Sequence, residues 1–178
     1  MHRLKSSNGE GAVLGMQTMR AYAALASAWL LMLGACRDLG PQSVDEAEAI
    51  TADYSGISDP RSRWEAYRLK SYVLEQQRMC FCINGGETCL VYVSDDAITD
   101  VVRKSDGKSI FQQSGYFYKT ANQLLRLADS LKTVRVASLV VEYDPKFGFP
   151  KYMFVDPYAQ MADEEYGYRT TSVRKLVK

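Results

Sequence analysis

Three thiols crowd one short stretch of this chain: Cys80 and Cys82 stand one residue apart, and Cys89 follows soon after. Between them lies Asn84-Gly85-Gly86, a strong hairpin signal because glycine supplies the positive φ that tight turns require. If Gly85-Gly86 is a two-residue turn, Asn84 pairs with Glu87, Ile83 with Thr88, and Cys82 with Cys89. Directly opposed strand residues have Cβ atoms about 4.5–5.5 Å apart, close enough to relax into a disulfide. Cys82–Cys89 is therefore the first expectation, a staple worth roughly 2 kcal/mol. Cys80 would then sit free on the same face. The alternative is a Cys80–Cys82 bridge, which would be easily reduced and hence redox-active. Arg78 shares the parity of these cysteines and could help stabilise a thiolate. No thioredoxin-like βαβ pattern surrounds the pair.

Oxygen chemistry is concentrated nearer the C-terminus. Asp156, Asp163, Glu164 and Glu165 could supply calcium ligands, or a carboxylate pair for glycoside hydrolysis. Their spacing matches no EF-hand loop, so solvated acidic turns are the simpler reading, and no metal or cofactor is expected. Upstream, Tyr143-Asp144-Pro145-Lys146-Phe147-Gly148-Phe149-Pro150 is the most distinctive string in the chain. Tyr143, Asp144, Phe147 and Phe149, with Asp156, Asp163 and Glu164, form a candidate binding surface. Physically the string makes a hairpin: Asp144 caps the turn, Pro145 sets φ, and Gly148 takes the left-handed position. Tyr116, Phe117, Tyr118, Tyr152, Phe154 and Tyr158 could add a face for glycan or protein, though alternating aromatics more often fill a sheet core.

The fourth thiol, Cys36, closes the string Leu33-Gly34-Ala35-Cys36. That string ends a charge-free run from Ala21, about 15 residues against the roughly 20 a transmembrane helix needs. With Arg20 as positive flank, the order is that of a bacterial lipoprotein signal. Small residues let the chain lie extended in a peptidase, and the thiol accepts diacylglycerol. Residues 1–35 would be removed and Cys36 would become the lipidated first residue. Met16 or Met19 competes with Met1 as the start. Arg37 rather than aspartate follows the cysteine, which favours the outer membrane of a Gram-negative cell, facing the periplasm.

Processing would also remove the chain's single histidine, His2. A histidine-free domain cannot run a Ser-His-Asp or Cys-His mechanism and lacks the commonest zinc and copper ligand. No catalytic residue is assigned. The 22 Lys and Arg nearly balance the 21 Asp and Glu, so nucleic acid is not an expected partner.

The elements that must position these groups follow from periodicity. Residues 36–60 are acidic and poor in large apolar side chains, and read as a flexible tether. Residues 61–178 form one domain. A short helix after Pro60 places Trp64 and Tyr67 on one face. A long strand runs through Tyr72 to Cys82, a second from Cys89 to Ser94, and a third from Ala97 to Lys104. The second half repeats the order: an amphipathic helix over about Thr120 to Lys132, then strands Val134–Tyr143, Phe149–Asp156 and Glu165–Val173. The expectation is an α+β fold, an antiparallel sheet of about six strands in two helix-plus-three-strand units, with helical cover on one face.

Cys80-Phe81-Cys82, the Tyr143–Pro150 string and Ala162-Asp163-Glu164-Glu165 together resemble a family of small bacterial envelope lipoproteins and secreted domains, classed as a domain of unknown function. Trp64, Tyr72, Gly148, Pro150 and Asp156 also fit its pattern, and Cys89 departs from it. The likeness covers about Trp64 to Thr171 and implies no particular activity. From residues and resemblance together, the expected protein is a lipid-anchored, non-catalytic envelope module that meets the membrane through its lipid and binds an envelope protein or polymer. The runners-up are a thiol–disulfide protein using Cys80 and Cys82, and a calcium-binding protein or metal-dependent enzyme using the acidic C-terminal cluster.

Overall fold

The structure, a computed structural model, describes residues 47–177. Helix α1 (Pro60–Ala66) starts where Asp59 accepts a hydrogen bond from the Ser62 amide at 2.7 Å, with Pro60 in the first turn. Proline suits that position because its missing N–H has no intrahelical partner to lose. Strands β2 (Ser71–Cys80), β3 (Thr88–Ser94) and β4 (Ala97–Arg103) then form an antiparallel meander. Asp95 and Asp96 turn β3 into β4 with φ of 48° and 61°, a conformation aspartate tolerates better than most residues.

A short helix α2 (Phe111–Ser114) and a 3-10 turn (Gly115–Phe117) lead into helix α3 (Ala121–Thr133). Thr120 and Gln123 form a reciprocal capping box at its start. Ala121, Leu124, Leu125, Ala128 and Leu131 form its buried stripe. Strands β5 (Ser138–Tyr143), β6 (Pro150–Asp156) and β7 (Tyr166–Leu176) complete the sheet. A two-residue strand, β1 (Ala47–Glu48), pairs with β7.

The strand order is β4-β3-β2-β7-β6-β5, antiparallel throughout. Each half of the domain thus contributes one three-strand meander, and the halves join where β2 meets β7. This is the expected α+β architecture of two helix-plus-three-strand units, with an open sheet and β1 as a seventh, minimal strand. Helical cover lies on one face. There Trp64, Tyr72, Leu74, Val91, Val93, Tyr118, Leu125 and Phe149 make the main core. Leu124, Leu131, Met153, Val155 and Tyr168 continue it under α3. Val73, Leu90, Tyr92, Val102 and Leu176 cluster on the opposite face.

Two local expectations change. Residues 111–117 are helical, so Tyr116, Phe117 and Tyr118 do not alternate along a strand. β5 begins at Ser138, leaving Val134 exposed at the end of α3.

The 115–120 segment is fastened to the sheet by one buried amide. Gln76, fully buried, accepts from the Lys119 amide at 3.1 Å and donates to the Lys119 carbonyl at 3.1 Å. It also donates to Thr170 Oγ1 at 3.3 Å. A register shift in the β2–β7 ladder falls between Glu75 and Gln76, and bulges of this kind re-aim side chains. Gln76→Leu should keep the volume but strand the Lys119 backbone groups, costing about 1–3 kcal/mol. Urea unfolding measures this; a loss under about 0.5 kcal/mol would mean the segment is held by packing alone.

Candidate functional site

Strand β2 ends at Cys80, and the loop of residues 81–87 carries the chain back to β3 at Thr88. Gly85 donates to the Cys82 carbonyl at 2.9 Å and Gly86 to the Arg78 carbonyl at 2.7 Å. Gln77 Nε2 donates to the Gly86 carbonyl from the strand. Asn84 and Gly86 take positive φ, 60° and 81°. Gly85 is required for another reason: a Cβ there would lie 2.3 Å from the Cys80 carbonyl oxygen and 2.9 Å from that of Cys82. The loop folds back on itself too closely for any side chain at that position.

Within this loop Cys80 and Cys82 are joined by a disulfide, and Cys89 is free and buried. The expected Cys82–Cys89 bridge does not form, because the connection is longer than a two-residue turn. Gln77 pairs with Thr88 and Gln76 with Cys89, so Cys89 lies well down the strand from Cys82. The alternative Cys80–Cys82 pairing is the one present. Cys89 Sγ instead lies 3.1 Å from the Tyr118 hydroxyl, and burial pushes its thiol pKa upward. A thiol held neutral in this way is a packing group rather than a nucleophile.

The two bridged sulfurs differ in setting. Cys80 is half-buried and Cys82 is exposed. Arg78, one pleat before Cys80 on the same face, donates through Nη2 to Cys80 Sγ at 3.3 Å. Arg78 is only 7% exposed, and its guanidinium lies over the Phe117 ring, 4.1 Å from the centroid. Among the described residues no carboxylate pairs with Arg78, and its Nη1 is buried without a hydrogen-bond partner. Nearby Lys119 likewise has no carboxylate partner among the described residues; its amine donates to the Tyr116 carbonyl at 3.2 Å. Burial, reinforced by repulsion from Arg78, lowers its pKa. This end of the sheet therefore holds two cations with no paired anion.

Exposed apolar side chains flank Cys82 in the chain: Phe81 is 87% exposed and Ile83 81%, and Tyr116, on the 3-10 turn, is 70% exposed. The 3-10 turn bearing Tyr116 is tied to the loop by Asn84 Nδ2 donating to Ser114 Oγ at 3.0 Å, and to β7 by Tyr168 donating to the Phe117 carbonyl at 3.1 Å. Tyr116 packs on Phe117 at 3.9 Å between centroids. It also lines an open cleft of about 530 Å³ with Phe111, Tyr118, Lys119 and Arg126. Neither the Phe81–Ile83 lips nor this clustering was visible in the sequence, where residues 81–83 read as strand. The one available signal was the apolar character of residues flanking a glycine-rich turn.

The candidate surface near the C-terminus divides. Tyr143, Asp144, Phe147 and Phe149 surround the β5–β6 turn, whereas Asp156, Asp163 and Glu164 follow the far end of β6. A strand of seven residues separates them, roughly 3.3 Å per residue. Phe149 is 1% exposed and belongs to the core, which corrects its placement on a binding surface. Asp144 caps the turn by accepting from the amides of Lys146 (2.9 Å) and Phe147 (2.7 Å). Asp156 accepts from the Tyr158 amide at 3.0 Å. Asp163 and Glu164 are exposed in the β6–β7 connection. Among the described residues no three carboxylate, thiol or imidazole side chains converge as a metal site would need. Cys36 lies outside the described residues. Among those described, no helix is long and apolar enough to cross a membrane.

Fold and site together define a small α+β domain, an open antiparallel sheet with one-sided helical cover and an apolar cystine loop at one end. The chain belongs to a family of unknown function, DUF6174, whose model matches residues 57–175. No curated protein and no solved structure matches the chain.

Proposed function

We propose that this protein is tethered to a bacterial membrane by acyl chains on Cys36, and that its domain is a non-catalytic binding module of the cell envelope. The observation that carries the binding role is the exposure of Phe81, Ile83 and Tyr116 on a loop and a turn joined by the Asn84–Ser114 hydrogen bond. Large apolar side chains at such exposure cost solvation in a free protein and mark an interaction surface. The aromatic and cationic cleft beside Tyr116 extends that surface. A protein partner suits it best, since aromatic and aliphatic anchors dominate protein interfaces. The anchor is supported by Arg20, the charge-free run and Leu33-Gly34-Ala35-Cys36. Arg37 favours the outer membrane, with the domain facing the periplasm.

Two measurements on the full chain test this. Expressed with its own leader in a Gram-negative host fed an alkyne palmitate, the protein should label and sediment with outer membranes, and Cys36→Ser should do neither. An unlabelled wild type would remove the anchor. A photo-cross-linker at position 81 should give a discrete protein adduct in cells, while one at Val140, exposed on the other sheet face, should not. Equal adduct patterns from the two positions would remove the binding surface.

A further inference from the structure

We infer that the Cys80–Cys82 disulfide exchanges with a thiol presented by a partner protein, with Cys82 as the sulfur attacked and Cys80 as the thiolate that leaves. The inference deepens the reading above, because it assigns a chemistry to the surface around Phe81 and Ile83.

Its first support is the isolation of Arg78. A buried guanidinium without a counter-ion is costly, and the Phe117 ring compensates only in part. Among the described residues its one side-chain acceptor is Cys80 Sγ, at 3.3 Å. A disulfide sulfur is a weak acceptor, whereas a thiolate in the same place would form a charge-assisted hydrogen bond. Opening the bridge therefore creates the anion that Arg78 lacks. Tyr166 is opposite Cys80 on β7, and Lys119 lies close enough to Arg78 for mutual repulsion. The carboxylate of the loop, Glu87, is paired with Arg103 on β4 at 3.2 Å.

The second support is the asymmetry of the bridge. Exchange requires an attackable sulfur and a good leaving sulfur, and a thiol of lower pKa leaves faster. Cys82 is exposed between Phe81 and Ile83, and Cys80 is half-buried beside Arg78. The roles follow directly. A partner thiolate attacks Cys82 Sγ, the S–S bond breaks, and its electron pair leaves on Cys80 Sγ. A second thiolate of the partner then attacks the partner's own sulfur in the mixed disulfide. That closes a disulfide in the partner and expels the Cys82 thiolate, which takes a proton from water. Two electrons pass from the partner dithiol to the bridge. Cys80 remains a thiolate, and its proton equivalent stays in solvent. Cys89, neutral and bonded to Tyr118, takes no part.

The test uses the full-length oxidised chain with two probes, glutathione and reduced thioredoxin as a protein dithiol. Acid-quenched glutathione adducts mapped by mass should lie on Cys82 at least tenfold over Cys80; adducts on Cys80, or an inert bridge in the folded protein, overturn the assignment. In the reduced chain, alkylation of Cys80 should reach half its maximal rate below the ordinary thiol value of about 8.5. Arg78→Met should raise that midpoint by about one pH unit, and Arg78→Lys, which keeps the charge, by less. If Arg78→Met does not fold, a wild-type midpoint at or above about 8.5 still overturns the role of Arg78. Phe81→Ser with Ile83→Ser should slow exchange with thioredoxin at least fivefold more than it alters exchange with glutathione. Equal slowing, or none, removes the partner-protein assignment. An inert bridge leaves acylation and the position-81 adduct intact, so failure here is distinguishable from failure of the binding module.

Discussion

Replacing Trp64 with alanine should destabilise the domain by about 3–5 kcal/mol, the range for losing a large buried aromatic. Trp64 is 4% exposed and packs edge-on against Tyr72 at 5.3 Å and Phe149 at 5.8 Å between ring centroids. Its Nε1 donates to Asn122 Oδ1 at 2.9 Å, so one side chain joins α1, β2, the turn before β6 and α3. Helix α1 has seven residues and would be marginal in isolation. Its stability is borrowed from this contact, and the alanine variant should lose α1 along with the cavity cost. Trp64→Phe keeps the ring packing and drops the hydrogen bond, for a smaller loss of about 1–2 kcal/mol. Urea unfolding of both variants checks the pair. A Trp64→Ala loss below about 2 kcal/mol would show that α1 is peripheral to the core.

Gly148→Ala should be the next most damaging single change. Gly148 has φ +85°, and a Cβ there would lie 2.2 Å from the Pro60 carbonyl oxygen and 3.1 Å from Arg63 Cβ. The left-handed backbone costs a non-glycine residue about 1–2 kcal/mol, and forcing α1 off the turn adds about 1–3 kcal/mol. Arg63 spans the same junction, donating to the carbonyls of Asp144 at 3.3 Å and Pro145 at 2.7 Å. Displacing Pro60 would therefore loosen these bonds too. Gly56→Ala is the control: a Cβ there meets nothing within 4 Å, and its effect should stay within about 0.5 kcal/mol. If thermal unfolding places both variants together, the clash at Gly148 is relieved at no cost, and the glycine is not needed for docking.

These two residues also show how far local chemistry carries. Trp64 and Gly148 were readable from one helix face and one turn. So were the amphipathic stripe of α3 and the six main strands. In each case the signal lies within a few residues: apolar spacing, a capping side chain, a glycine where φ must be positive. The cleft and the cystine loop were less legible. Residues 111–117 carry no helical stripe long enough to read, and their position depends on Gln76, distant in sequence, bonding to Lys119. The Tyr143–Pro150 string was correctly read as a turn, but Phe149 within it was placed on a surface, since nothing in the string says that α1 docks there and buries that ring.

The cysteines mark the boundary most sharply. Sequence alone placed Cys80, Cys82 and Cys89 on one face at a hairpin end, and put Arg78 with them. It chose Cys89 as the partner of Cys82, and the structure joins Cys82 to Cys80 instead. Pairing Cys89 with Cys82 or with Gln76 differs by an even number of residues, so both registers present the same side chains to the core and hydrophobic alternation is silent between them. Only the assembled sheet, with the Gly85 backbone packed against Cys80 and Cys82 and the β2–β7 ladder running on to Cys80, settled which sulfurs meet. Secondary structure is written in neighbours along the chain, whereas register and burial are decided by contacts between segments that the sequence keeps apart.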